Sequence, residues 1–284
     1  MPRLPSSPRW RWPALLALAL ALLAGCATLD EQQRKWIFQP STGPGRGGSP
    51  ADGMDDVWIE HVSAISGEPV RLHALWQPHA DPAAPVLLYL HGARRTIEGS
   101  TFRIRNMREL GFSVLAIDYR GFGRSSDALP SEAMVTEDAR AAWRWIARRY
   151  PGHARYIFGH SLGAAIAIHL ACEAADAKGL IVEGAFTSIP EVFQTLRWGW
   201  LPVTALITQR FDAAERIGRV RMPVLVVHGS GDSLILPALG RALYERANAP
   251  KRFVLVDGGT HYTTNGMGAA QYREALRELF GLGA

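Results

Sequence analysis

Residues 154–172, ARYIFGHSLGAAIAIHLAC, constrain what this chain can fold into more than any other stretch. The short β-rich apolar run 155–158 reads as a buried strand. Residues 164–171, rich in Ala, Leu and Ile with no breaker, read as a helix. Between them stands Gly159-His160-Ser161-Leu162-Gly163. A serine on so tight a strand-to-helix turn is held in a strained backbone conformation. The glycines two positions to either side are needed because a Cβ there would strike the neighbouring strand or helix. The turn lifts the Ser161 hydroxyl off the sheet, with the helix N-terminus beneath it. Composition alone would produce this five-residue spacing now and then; the strand before it and the helix after it give it weight. The bland alternative is a Gly-rich loop carrying a solvent-exposed serine.

The N-terminus reads as a targeting segment. Arg3, Arg9 and Arg11 precede an apolar run over 14–24, long enough for a signal peptide and too short to span a bilayer. The run ends Leu23-Ala24-Gly25-Cys26, which resembles a bacterial lipobox and implies lipidation of Cys26 after removal of residues 1–25. A secretory signal with a coincidental cysteine, or an uncleaved anchor, is the alternative. Ala27 follows the cysteine where the enterobacterial retention signal has Asp, so the expected location is the cell envelope, at the outer membrane facing the periplasm. Without the three arginines of 1–25 the net charge of +5 falls to +2. No Lys/Arg run or aromatic-basic patch points to nucleic acid. With Cys26 acylated, Cys172 has no partner; it reads as a small core residue, and no disulfide is expected.

Residues 26–55 are expected to be a lipidated N-terminus and flexible linker, since 39–53 (QPSTGPGRGGSPADG) is dense in Gly, Pro and Ser. Trp36-Ile37-Phe38 interrupts it and is expected to dock on the body, with the bilayer interface as the alternative. The remainder, 56–284, suffices for one domain with a large core. An antiparallel hairpin is expected from strands 57–64 and 70–76 around Ser66-Gly67-Glu68. Strands then alternate with helices: 86–90, 102–110, 113–117, 137–149, the 155–171 pair, 180–183, 224–227, 237–247, 252–256 and 269–280. Such alternation implies an α/β fold: a mostly parallel twisted sheet with helices on both faces. Ligands in such sheets bind at the carboxyl ends of the strands, so the chemistry belongs in the loops that follow them.

Those loops are polar and Gly-rich where the rule demands. They read His91-Gly92-Ala93-Arg94-Arg95, Asp118-Tyr119-Arg120-Gly121-Phe122-Gly123-Arg124-Ser125, His228-Gly229-Ser230-Gly231-Asp232 and Asp257-Gly258-Gly259-Thr260-His261. With the GHSLG turn, they make residues 56–284 resemble the serine hydrolases of the α/β-hydrolase superfamily, a subgroup that includes lipid and S-acyl-protein hydrolases and many bacterial esterases. Ser161, then Asp232, then His261 is that family's order. The resemblance implies an α/β-hydrolase fold and an acyl-enzyme on Ser161. His261 would act as base, and Asp232 would orient the imidazole. The backbone N–H of Leu162 and, by resemblance, of Ala93 would bind the oxyanion. The expected substrate is a carboxylic ester or thioester, acted on by a monomer; a peptidase of the same fold and a non-catalytic envelope protein are the alternatives.

Each partner has a competitor. Asp232 suits a turn, and Glu183 is the rival acid. Asp118 reads as a structural carboxylate, and His91 and His228 as loop-packing residues. His160 is expected to point away from the site by strand alternation. No metal-ligand spacing and no dinucleotide fingerprint is present, so neither metal nor cofactor is expected. Residues 187–220 exceed a simple crossover and read as a small cap with helices over 189–197, 202–211 and 213–220. Phe193, Trp198, Trp200, Leu201 and Leu206 are its candidates for lining an acyl pocket, with packing on the sheet as the alternative. Trp198 and Trp200 are also candidates for entering a lipid surface.

Overall fold

A computed structural model describes residues 11–41, 51 and 53–283. Eight strands form one sheet in the order β1-β2-β4-β3-β5-β6-β7-β8. They are β1 (Asp55–Val62), β2 (Pro69–Gln77), β3 (Val86–Leu90), β4 (Ser113–Ile117), β5 (Arg155–His160), β6 (Gly179–Glu183), β7 (Val224–Gly229) and β8 (Lys251–Val256). β1 and β2 pair antiparallel, β2 joins β4 antiparallel, and every other pairing is parallel. The helices are α1 (Arg11–Phe38), α2 (Thr101–Glu109), α3 (Glu132–Arg149), α4 (Leu162–Ala171), α5 (Ile189–Gln194), α6 (Ala213–Ile217), α7 (Pro237–Arg246), α8 (Thr264–Met267) and α9 (Ala269–Phe280).

The central strands are apolar on both faces, and their period-two alternation divides them between two cores. In β3, Val86, Leu88 and Leu90 face a core shared with α3, α4 and α6, while Leu87 and Tyr89 face one shared with α2 and α9. All five are buried. This double covering aims the carboxyl ends of β3, β5, β6, β7 and β8 at one rim, where the loops of interest emerge.

Three expectations need correction. α3 begins at Glu132, five residues earlier than read, because the Ser131 side chain accepts from the Met134 amide and caps it. The expected helix over 202–211 is reduced to a 3₁₀ turn at Thr204–Leu206. The stretch 28–38, read as flexible linker, is the helical end of α1, with Ile37 and Phe38 buried in the core of the body. The docking expected of Ile37 and Phe38 is therefore present, whereas Trp36 stays 55% exposed. The linker over 42–50 and residues 1–10 of the targeting segment lie outside the described residues. No helix among the described residues is long and apolar enough to cross a membrane.

Candidate active site

Ser161 occupies the turn between β5 and α4 with φ 56° and ψ −122°, a left-handed conformation that a side-chain-bearing residue rarely adopts. Its amide donates to the Glu183 carbonyl of β6 at 2.9 Å, which pins the turn to the sheet. The flanking glycines are required sterically. A Cβ on Gly159 would stand 2.3 Å from the Gly163 carbonyl oxygen, and one on Gly163 would stand 2.1 Å from that of Leu90.

Asp232 follows β7 and His261 follows β8, and the two meet across the rim. His261 Nδ1 lies 2.8 Å from Asp232 Oδ2. An ionised carboxylate only accepts, so Nδ1 carries the proton of this contact and Nε2 is the nitrogen left facing away from Asp232. Asp232 Oδ1 accepts from the amides of Leu234 at 3.0 Å and Ile235 at 2.9 Å. Burial pushes the Asp232 carboxyl up, but hydrogen bonds from His228 and His261, the positive field of His261 and the Ile235 amide together hold it well below the usual carboxylate range. Asp232 is thus charged and fully bonded beside the ring. Glu183, the rival acid, is not bonded to the His261 ring: its carboxylate pairs with Arg103 and accepts from the Tyr272 hydroxyl.

Ser161 and His261 line one cavity of about 230 Å³. Their side chains are not hydrogen-bonded to each other; one rotation about the serine χ1 separates staggered positions of the hydroxyl, and such contacts commonly tighten only on substrate binding. Leu162 and Ala93 border the same space. Among the described residues, neither amide is matched to a backbone acceptor in the surrounding turns and loops. The cavity is walled by Phe186, Ile189, Val192, Phe193, Leu196, Leu234 and Ile235, with Trp36 and Ile37 of α1. Arg94 and Arg95 are the charged residues on its lining, and no carboxylate is among them.

Of the pocket candidates, Phe193 is on the lining; Trp198 and Trp200 are not, being 58% and 74% exposed. After α5 the chain folds through successive tight turns, with Gly199 N on Leu196 O at 2.8 Å and Leu201 N on Trp198 O at 3.0 Å, and these carry both indoles outward. Leu206 is 57% exposed, and Leu201 is also absent from the lining. His160 does not point clear of the site as expected. It is buried on the lining with its ring centroid 4.8 Å from that of His261. His160 Nε2 lies 3.0 Å from both Arg103 Nη2 and the His261 carbonyl oxygen, which ties its ring to the His261 loop. Burial, then the charges of Arg103 and His261, press His160 well below the ordinary histidine range, so it is neutral.

Arg103 itself was not legible as part of the site. Fully buried on α2, it pairs through Nε with Glu183 Oε1 at 3.0 Å and donates from Nη2 to the carbonyls of His261 at 3.2 Å and Tyr262 at 3.4 Å. Asp118 is the expected loop-holding carboxylate, accepting from the Ile97 amide at 2.8 Å. Among the described residues, His61, Glu137 and Asp138 have metal-like spacing, but Arg120 already bonds to both carboxylates. Cys172 ends α4, half-buried and free.

Residues 81–214 match the family described as "Serine aminopeptidase, S33". An uncharacterized protein of Mycobacterium tuberculosis is 34% identical over 256 residues, covering 88% of this chain and 87% of that protein. The lysophosphatidylserine lipase ABHD12 of Danio rerio is 34% identical over 223 residues, covering 71% of this chain; the chain spans 58% of that lipase's length. Among solved structures, an esterase of Pyrococcus furiosus superposes with a TM-score of 0.65 at 18% identity, over 84% of this chain and 98% of that one.

Proposed function

From the premise that the chain belongs to the α/β-hydrolases, we propose that it is a serine hydrolase cleaving carboxylic esters or thioesters through an acyl-enzyme on Ser161. One observation carries this reading: a serine on a strained strand-to-helix turn shares an apolar cavity with an imidazole whose other nitrogen is bonded to a buried carboxylate. The Ser161 hydroxyl attacks the acyl carbon and His261 Nε2 takes its proton. Asp232 holds the tautomer and offsets the charge of the imidazolium. The tetrahedral oxyanion meets the Leu162 and Ala93 amides. Collapse breaks the bond to the leaving alcohol or thiol, which takes the proton back from His261. A water activated by the same imidazole then attacks the acyl carbon, releasing the acid and restoring the serine.

The cavity lining favours an acyl chain over a peptide N-terminus. An aminopeptidase needs an anion to hold the substrate ammonium, and the described lining offers apolar side chains and arginines without a carboxylate. The likeness to a lysophosphatidylserine lipase extends the proposal to the acyl esters of lipids. Lipidation at Cys26 would suit such substrates. Cys26 is exposed on α1, and at 1.5 Å per residue it stands about 18 Å along the helix axis from the docked Phe38. The Gly/Pro-rich linker follows this docked segment in the chain, so it would not lengthen the path between anchor and cavity.

Fluorophosphonate labelling, followed by turnover of p-nitrophenyl esters, tests the reading. Wild type should label and turn over esters, and Ser161→Ala should do neither. A folded wild-type protein that fails to label would leave only a hydrolase-shaped binding protein.

A further inference from the structure

We propose that the C-terminal turn of α1 is part of the active site, and that Trp36 and Ile37 determine how much acyl chain it accepts. The inference rests on the reading of Ser161 as the acylated nucleophile and adds a specificity element from outside the hydrolase body. Both side chains line the cavity that holds Ser161 and His261. A merely tethering segment would be indifferent to its position, but this one is fastened along its length.

On the cap side, Asp30 accepts from the Thr208 hydroxyl at 2.6 Å and the Gln209 amide group at 2.9 Å. Gln33 donates to the Leu206 carbonyl at 2.7 Å and accepts from the Thr208 amide at 2.9 Å. On the other side, Arg34 donates to the Pro130 carbonyl at 2.9 Å. Phe38 is fully buried and meets Phe211 edge-on at 5.8 Å. Its carbonyl accepts from the Arg94 amide at 3.0 Å, one residue beyond Ala93. The helix end is therefore held by the cap and by the loop that supplies an oxyanion donor, and Trp36 and Ile37 are presented to the cavity as a fixed wall.

The size of the cavity gives the wall a consequence. The cavity of about 230 Å³ is bounded on the α1 side by Trp36 and Ile37, so their bulk limits how far an acyl chain extends in that direction. Trimming the indole of Trp36 extends the space at the α1 side without touching Ser161, His261 or Asp232.

The test uses the full chain in mild detergent and a p-nitrophenyl ester panel from acetate to palmitate. In Trp36→Ala, the ratio of kcat/KM for the dodecanoyl ester to that for the butyryl ester should rise at least fivefold, mainly through KM for the long ester. Trp36→Phe should fall between wild type and Trp36→Ala, and Ile37→Ala should move the ratio the same way. Near-ultraviolet dichroism and the unfolding midpoint verify the fold; Trp36, already half-exposed, tolerates trimming, and Trp36→Phe serves if Trp36→Ala does not fold. An unmoved ratio in either folded Trp36 variant, with wild type labelling at Ser161, overturns the wall and leaves the hydrolase reading intact. Wild type that fails to label overturns both.

Discussion

Arg103 offers the sharpest test of how the His261 loop is held. It is buried on α2 and joins four partners: Glu183 through Nε, and His160, His261 O and Tyr262 O through Nη2. Arg103→Met keeps much of the apolar stem and removes every one of these donors. Glu183, 1% exposed, is then left with the Tyr272 hydroxyl as its side-chain partner. Removing one member of a buried ion pair costs about 3–5 kcal/mol, because the remaining charge is stranded. At about 2–4 °C per kcal/mol for a chain of this class, the unfolding midpoint should fall by roughly 6–20 °C. Most of that loss belongs to the stranded charge, so Arg103→Met/Glu183→Gln, which leaves a neutral amide to accept from Tyr272, should recover at least about 2 kcal/mol. Urea titrations of the four proteins in the cycle give the coupling directly, provided the slopes agree. Single losses that simply add, with coupling under about 0.5 kcal/mol, would refute the argument. The double variant should stay slow even when stable, since the His261 and Tyr262 carbonyls still lack their donor.

Ser161→Gly should be more stable than Ser161→Ala by about 1 kcal/mol, since glycine relieves a left-handed strain of about 1–3 kcal/mol and gives back about 0.5–1 kcal/mol in chain entropy; a glycine variant that melts below the alanine one contradicts the strain. His169 on α4 is held down to about 4, first by burial and then by Arg216 and Arg140, against a smaller opposing pull from Glu173. Protonation therefore favours the unfolded chain, so the contribution of neutral His169 is complete above about pH 6.5 and is lost as pH falls toward 4. For a half-buried, solvent-screened group the effect is on the order of 1 kcal/mol, and His169→Gln should flatten the stability profile between pH 6.5 and 4; an unchanged slope there refutes it.

What could be read from the chain divides along a physical line. β3 and β4 lie on the expected residues, and β5, β6, β7 and β8 within two, because buried parallel strands are short apolar runs bounded by Gly-rich loops, a wholly local signal. The meeting of the loops that carry Ser161, Asp232 and His261 was legible for a related reason: each follows a strand, and strand order alone brings those loops to one rim. Arg103 was not, since Arg105 and Arg108 share its helix and nothing local says which of them faces inward. The burial of Arg103 depends on Glu183, 80 residues along the chain. Trp198 and Trp200 were misplaced because an aromatic residue signals burial only when the backbone around it is regular, and consecutive tight turns turn both outward. The end of α1 was hidden most completely: its partners at Leu206, Thr208 and Gln209 lie more than 170 residues away, and its polar side chains read as a solvated stretch. The division follows the chemistry of the molecule. Ser161, Asp232 and His261 stand after strand ends whose positions local pattern dictates, while the cavity beside them is walled by α1, the cap and the loop after β7, pieces whose register only tertiary contacts set. Such walls can be exchanged without disturbing the strand ends, so the wall residues Trp36, Ile37 and Phe193 are where this protein should differ in substrate from other hydrolases with the same Ser161, Asp232 and His261 geometry.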